Sequence, residues 1–143
     1  MNWMEQITRF EVLLRQMEAA GRDGKALAPD DAFDRLTEMT LELRRRRNTI
    51  YCIGNGASAS MASHFSADMA KNGKVHTEVF SDLALITAIS NDMSYDEVFA
   101  EPLRRRGEPG DMLLAISSSA DSSSAGHKKL PSLSLFLKSA KCS

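Results

Sequence analysis

The run Thr49-Ile50-Tyr51-Cys52-Ile53, followed by Gly54-Asn55-Gly56-Ala57-Ser58, constrains this chain more than any other stretch. Five apolar or β-branched residues are too few for a helix and read as a buried strand. The two glycines permit a tight turn and close backbone approach. Residues 57–71 then have helical composition, ending at Asn72-Gly73. Such a strand-turn-helix unit places the first N–H groups of a helix at the carboxyl end of a strand. Unpaired N–H groups and the helix dipole favour an anion there. The turn is therefore expected to cradle a phosphate.

The remaining pattern surrounds this unit with similar ones. Val75 to Phe80 is a second strand candidate, and Asp111-Met112-Leu113-Leu114-Ala115-Ile116 a third. Between them lie a short helix around residues 83–89 and another from Tyr95 to Arg105, with Ser94 as its cap. Strands alternating with helices predict an α/β fold, a three-layer parallel sheet flanked by helices. Two helices precede the sheet. The first carries Trp3, Ile7, Phe10, Leu14 and Met17 on one stripe and is expected to end at Gly21 and Gly24. The second starts near Pro29-Asp30-Asp31, buries Phe33, Leu36, Thr40 and Leu43, and runs into Arg44-Arg45-Arg46-Arg47. Four arginines at a helix end offset its negative dipole, so they read as a solvated face. In the third helix Met61, Phe65 and Met69 form a stripe. A length of 143 residues predicts one domain. Within it we distinguish a helical segment, 1–47, a ligand-binding sheet region, 48–122, and an atypical tail, 123–143.

Bulk properties exclude several classes. Basic and acidic residues balance, 18 against 19, which argues against a general nucleic-acid or membrane-surface binder. No apolar run of about 18 residues predicts a membrane span, and the N-terminus lacks signal-peptide features. Cys52 and Cys142 make neither a disulfide framework nor a metal cluster; Cys52 reads as a small buried residue. These features predict a soluble cytoplasmic protein.

Ligands of open parallel sheets bind outside the carboxyl ends of the strands. Two loops fall there: the Gly54 to Ser58 turn, and Ser117-Ser118-Ser119 with Ser122. Hydroxyls and backbone N–H groups without clustered lysine suit a phosphate monoester. Gly54-x-Gly56-x-x-Ala59 equally matches a dinucleotide fingerprint, for which Glu78 would be the ribose acceptor. The serine-rich second turn favours sugar phosphate, because a dinucleotide site does not require it.

Taken together, Ile53-Gly54-Asn55-Gly56-Ala57-Ser58, Ser63-His64-Phe65, Leu85-Ile86-Thr87-Ala88-Ile89-Ser90-Asn91-Asp92 and Gly110-Asp111-Met112-Leu113-Leu114-Ala115-Ile116-Ser117-Ser118-Ser119 resemble a SIS (sugar isomerase) domain. The nearest branch is that of the phosphoheptose isomerases. The resemblance runs from about Thr49 to Ser122. It implies flavodoxin-like topology, a cytoplasmic sugar-phosphate protein, and a homo-oligomer, dimer or tetramer, packed through its helices. It implies that Ser58, Ser117, Ser118, Ser119 and Ser122 hold the phosphate, and that Asn55, Gly56, Asn91 and Asp92 line the sugar site. His64 matches a metal-binding histidine of the phosphoheptose isomerases. Asp68 stands where that family has a glutamate acting as base and metal ligand. The residues by themselves imply no cofactor; the resemblance implies zinc at His64 and Asp68. A helix-surface ion pair is the alternative for these two residues, which share a helix face.

The departures lie towards the end. The family turn continues Ser-Gly-Asn-Ser, whereas this chain has Ser119-Ala120-Asp121-Ser122. Alanine replaces a residue that can take positive φ, and a carboxylate would repel a phosphate at close range. From Ser117 onwards there are ten serines and no acidic residue after Asp121. The family's later strands, with a catalytic glutamine and histidine, are not recognisable, so the C-terminus of the fold reads as incomplete. A reading-frame change after about Ser122 would produce such a tail. The Ser-Leu alternation of residues 132–137 could form one strand, and His76 and His127 read as surface residues. The expected function is an aldose–ketose isomerase homologue that binds a phosphorylated sugar, with Asp68 as candidate base. The alternatives are an inactive binding or regulatory module or truncated fragment and, more remotely, a dinucleotide-binding protein.

Overall fold

The computed structural model describes residues 2–21 and 23–117, and the backbone of the strand Phe136–Ser139. The chain divides into two compact units, Met1–Thr40 and Leu41–Ser143.

The first unit begins with α1 (Trp3–Arg15). Asn2 and Glu5 close a reciprocal capping box: the Asn2 Oδ1 accepts the Glu5 N–H at 3.0 Å, and Glu5 accepts the Asn2 N–H at 2.9 Å. The helix stops at Gln16, earlier than the glycines predicted. Gly21 and Gly24 instead turn a short antiparallel hairpin, β1 (Ala19–Ala20) with β2 (Ala26–Leu27). Gly24 takes φ +76°, a conformation open to glycine at little cost. No residue of α1 is buried, and Trp3, Phe10 and Leu14 are 75%, 65% and 71% exposed. The predicted apolar stripe exists, and among the described residues its side chains remain exposed.

Helix α2 (Pro29–Arg46) starts on its proline, with Asp30 and Asp31 in the first turn. Of its four predicted core residues only Leu43 is buried, while Phe33 is exposed. The arginine run behaves as expected of a helix end. Arg45 and Arg46 pair with Glu42, which holds the Glu42 carboxyl down at about 2. Arg47 takes φ +59°, and the Asn48 N–H reaches back to the Leu43 carbonyl at 3.0 Å, a left-handed C-terminal cap.

The second unit holds the sheet, in the order β4-β3-β5-β6. The strands are β3 (Thr49–Ile53), β4 (His76–Val79), β5 (Met112–Ala115) and β6 (Phe136–Ser139). β3 lies parallel to both β4 and β5, while β6 runs antiparallel to β5. β4, β3 and β5 thus form the expected parallel sheet, flanked by helices, and β6 adds an antiparallel edge strand to it. An antiparallel edge strand needs no crossover helix to reach its neighbour.

One face of β3 and β4 carries α3 (Ala57–Lys71). The buried residues of α3 are the small ones, Ser58, Ala62 and Ser66, while Phe65 and Met69 of the predicted stripe are half-buried. Met61 is 51% exposed. The reason is steric: small side chains let the helix backbone approach the sheet. Ser66 Oγ donates to Thr77 Oγ1 at 2.9 Å, and Thr77 returns a bond to the Ser66 carbonyl at 3.0 Å. The opposite face carries α5 (Glu97–Arg106), preceded by α4 (Leu83–Asp92). Asp82 rather than a serine caps α4, accepting the Leu85 N–H at 2.9 Å. α5 begins after Asp96, two residues beyond its predicted start, and Ser94 belongs to the preceding turn. Tyr51 stacks on Phe80 with centroids 5.6 Å apart, and its hydroxyl donates to the Arg106 carbonyl at 2.8 Å.

The amino ends of β3 and β5 are joined by the buried carboxylate of Asp111. Its Oδ1 accepts the Thr49 N–H at 2.8 Å and the Asn48 amide at 3.1 Å, and its Oδ2 accepts the Glu108 N–H at 2.8 Å. A buried carboxylate is tolerated because every near donor is used.

Candidate functional site

β3 ends at Ile53 and β5 at Ala115, directly alongside it. The Ile116 N–H donates to the Ile53 carbonyl at 2.9 Å, so Ser117 leaves the sheet beside the 54–58 turn. Both loops singled out in the sequence therefore begin at the carboxyl edge of adjacent strands. Ser118, Ser119 and Ser122, the altered Ala120-Asp121 pair, His127 and Cys142 lie outside the described residues.

The backbone of the turn has the form expected of an anion cradle. A Cβ on Gly54 would stand 2.7 Å from the Ser58 carbonyl group, so only glycine lets the strand run this close under the helix. Gly56 is the N-cap of α3 at φ +55° and ψ −124°, again a glycine conformation, and no side chain caps the helix. The Ser58 N–H bonds the Asn55 carbonyl at 3.0 Å, while Ala59 and Ser60 share the Gly56 carbonyl at 3.1 and 3.3 Å. Among the described residues the N–H groups of Gly56 and Ala57 take no partner. Two donors at a positive dipole end are thereby left at the edge of the sheet. Ser58 sits in the same first turn, 3% exposed, on the stripe facing the sheet.

Asn55 is exposed and its Oδ1 accepts the hydroxyl proton of Tyr95 at 2.9 Å. Tyr95 was not singled out by its sequence context. Its partner lies 40 positions away, so no local pattern could have marked it. The turn between α4 and α5 is thereby tied to the phosphate turn. Asn91 and Asp92 close α4 just before it, both exposed, with the Asn91 amide donating to Asp92 at 3.0 Å. At the third carboxyl end, Ser81 follows β4 and meets Ser63 of α3, with the hydroxyl oxygens 3.3 Å apart.

His64 and Asp68 lie on the outer side of α3. Their Nε2 and Oδ2 are 3.3 Å apart, and their side chains are 82% and 48% exposed. The helical rise places Asp68 about 15 Å along the axis from Ser58. Zinc takes four ligands, at least three of them from protein even in catalytic sites. Among the described residues no three His, Cys, Asp or Glu side chains gather where they could hold a metal. His64 and Asp68 supply two donors that already face each other, so the described donor set does not fit a zinc centre.

Glu78, the acceptor required by a dinucleotide reading, is paired with Arg106 from α5 and so is already engaged. Cys52 is 1% exposed, and burial pushes its thiol up to about 12, which leaves it inert at neutral pH. His76 is exposed and meets Thr49 at 3.0 Å. No helix of the described residues is long and apolar enough to cross a membrane.

The SIS domain family matches residues 25–126. The phosphoheptose isomerases of Shewanella loihica and Shewanella frigidimarina are each 39% identical over 103 residues, covering 68% of this chain and 52% of theirs. The chain thus spans about half the length of the curated relatives it matches. Among solved structures, the phosphoheptose isomerase of Neisseria gonorrhoeae superposes with a TM-score of 0.54 at 30% identity, covering 85% of this chain and 64% of that one. A glycine turn opening an uncapped helix beside the end of β5, in a chain so matched, makes this protein a member of the SIS domain family.

Proposed function

We propose that this chain binds a phosphorylated sugar at the carboxyl edge of β3 and β5 and belongs to an aldose–ketose isomerase acting on a heptose-type phosphate. The observation that carries the reading is the uncapped first turn of α3 with its glycine backbone. It offers N–H groups and a positive dipole end to a phosphate, and relatives named phosphoheptose isomerase supply the substrate class. Gly56, Ser58 and the serines from Ser117 onwards hold the phosphate in this reading, with Ser118, Ser119 and Ser122 completing the second loop. Asn55, Asn91 and Asp92 face the sugar. Isomerisation removes a proton beside the carbonyl, passes through an enediol and returns the proton to the neighbouring carbon. Asp68 is the proposed base.

A second reading, binding without turnover, is favoured by one observation. His64 and Asp68 form an exposed pair on α3, remote along the axis from the phosphate turn. Calorimetric titration with sedoheptulose 7-phosphate, followed by a turnover assay on the same sample, separates the two. Saturable binding with turnover lost in Asp68→Asn supports the isomerase; binding without turnover leaves the binding module. Ser58→Ala should weaken binding about ten- to a hundredfold, the value of one hydrogen bond to a charged group. An unchanged affinity would remove Ser58 from the site.

The bare stripe of α1 supports self-association into a dimer or tetramer, since apolar residues this exposed need cover. Phe10→Glu should shift the mass measured by light scattering towards the monomer. The cytoplasm is the expected location of such a phosphorylated substrate.

A further inference from the structure

The Tyr95 side chain is 55% exposed, so core packing does not account for its place. It sits in the turn joining α4 to α5, and its hydroxyl donates to Asn55 Oδ1 at 2.9 Å. Asn55 stands between the end of β3 and the Gly56 N-cap of α3. A carboxamide has two unlike ends, an acceptor oxygen and a donor NH2. With the oxygen engaged by Tyr95, the NH2 end is the one left for a ligand, and a sugar phosphate is rich in acceptors. Without that bond the side chain samples its staggered χ1 wells as well as both amide orientations, and only one of about six combinations presents the donor there.

We propose that Tyr95 is a positioning residue, which clamps Asn55 so that its amide NH2 is presented to the sugar phosphate and draws the turn after Asn91 and Asp92 onto the phosphate loop. This rests on the sugar-phosphate reading above. Tyr95 acts through Asn55, so its effect must vanish when Asn55 is absent. Apparent affinity scales with the fraction of molecules in the competent orientation, so losing the clamp should weaken binding about three- to tenfold.

The experiment has two arms on the full chain. In the first, the side-chain amide resonance of Asn55, identified by its loss in Asn55→Ala, is compared between the wild-type protein and Tyr95→Phe without ligand. A displaced resonance, with the thermal midpoint unchanged, is expected; an unmoved one overturns the clamp. In the second, sedoheptulose 7-phosphate is titrated into the wild type, Tyr95→Phe, Asn55→Ala and the double variant. A three- to tenfold loss in Tyr95→Phe, and none beyond that of Asn55→Ala in the double variant, is expected. Wild-type binding with an unchanged Tyr95→Phe affinity, or additive losses in the double variant, overturns the role of Tyr95 alone. Absence of wild-type binding overturns the sugar-phosphate reading, and the role of Tyr95 with it.

Discussion

The two edges of the parallel strands use similar residues to opposite ends. At the amino edge, Asp111 collects N–H donors from Asn48, Thr49 and Glu108 and leaves nothing for a ligand. At the carboxyl edge, Gly56 begins a helix with no capping side chain, and the N–H groups of Gly56 and Ala57 stay available. The difference lies in where the carboxylate stands. An acidic side chain among the N–H groups would neutralise them, as at the amino edge. A glycine leaves them to an outside anion. Polar residues at a strand end are therefore informative about function only once their partners are known.

Several measurements can break or sharpen this contrast. The largest effect is expected at the closed edge. Asp111→Ala strands the buried Thr49 N–H and the part-buried Asn48 and Glu108 donors, and should cost about 3 kcal/mol in urea unfolding. A loss under about 1 kcal/mol would mean that water enters and the edge is not closed. Gly54→Ala comes next. Its Cβ would meet backbone atoms of Ser58 and Ala59 at 2.7–3.0 Å, which cannot rotate away. A loss of about 1–3 kcal/mol is expected, as for overpacking of a tight core. Wild-type stability would show that strand and helix can part without cost.

Between the edges, Cys52 tests how well the sheet excludes water. Its thiol is held up at about 12 in the fold, above its ordinary value of 9.0. The unfolded chain therefore loses this proton first. Stability is unaffected below about 9 and declines as pH rises towards 12. Cys52→Ala should flatten that decline; an identical profile would assign it to other groups. The smallest effect is expected at Asp68→Asn, because its ion pair with His64 is solvent-exposed. A change below about 0.5 kcal/mol is expected in the same unfolding assay. A larger one would give the pair a structural role.

Much of the fold was legible in the sequence, and the misses have physical reasons. Strand β3 and helix α3 fall where the apolar run and its glycine turn placed them, because both signals are local. The buried face of α3 was legible only in part. Periodicity marks Met61, Phe65 and Met69 as the apolar stripe, yet close packing on β3 and β4 selects Ser58, Ala62 and Ser66. Hydrophobicity reports which residues avoid water, and not which ones are small enough for a short approach. The glycines after α1 were read as a helix stop, but they turn a hairpin whose strands of two residues each are too short to show a pattern. Ser94 lost the capping role because the helix starts later, behind Asp96.

The candidate site divides in the same way. The 54–58 turn was identified from sequence because its function resides in backbone geometry, and glycine spacing encodes backbone geometry directly. Membership of the SIS family was likewise legible in short ordered motifs. What only the tertiary structure decided depends on contacts between distant residues. It set Tyr95 on Asn55, engaged Glu78 with Arg106 and closed Asp111 among its donors. Side-chain partners separated by tens of residues leave no trace in local spacing, because folding alone brings them within hydrogen-bonding reach.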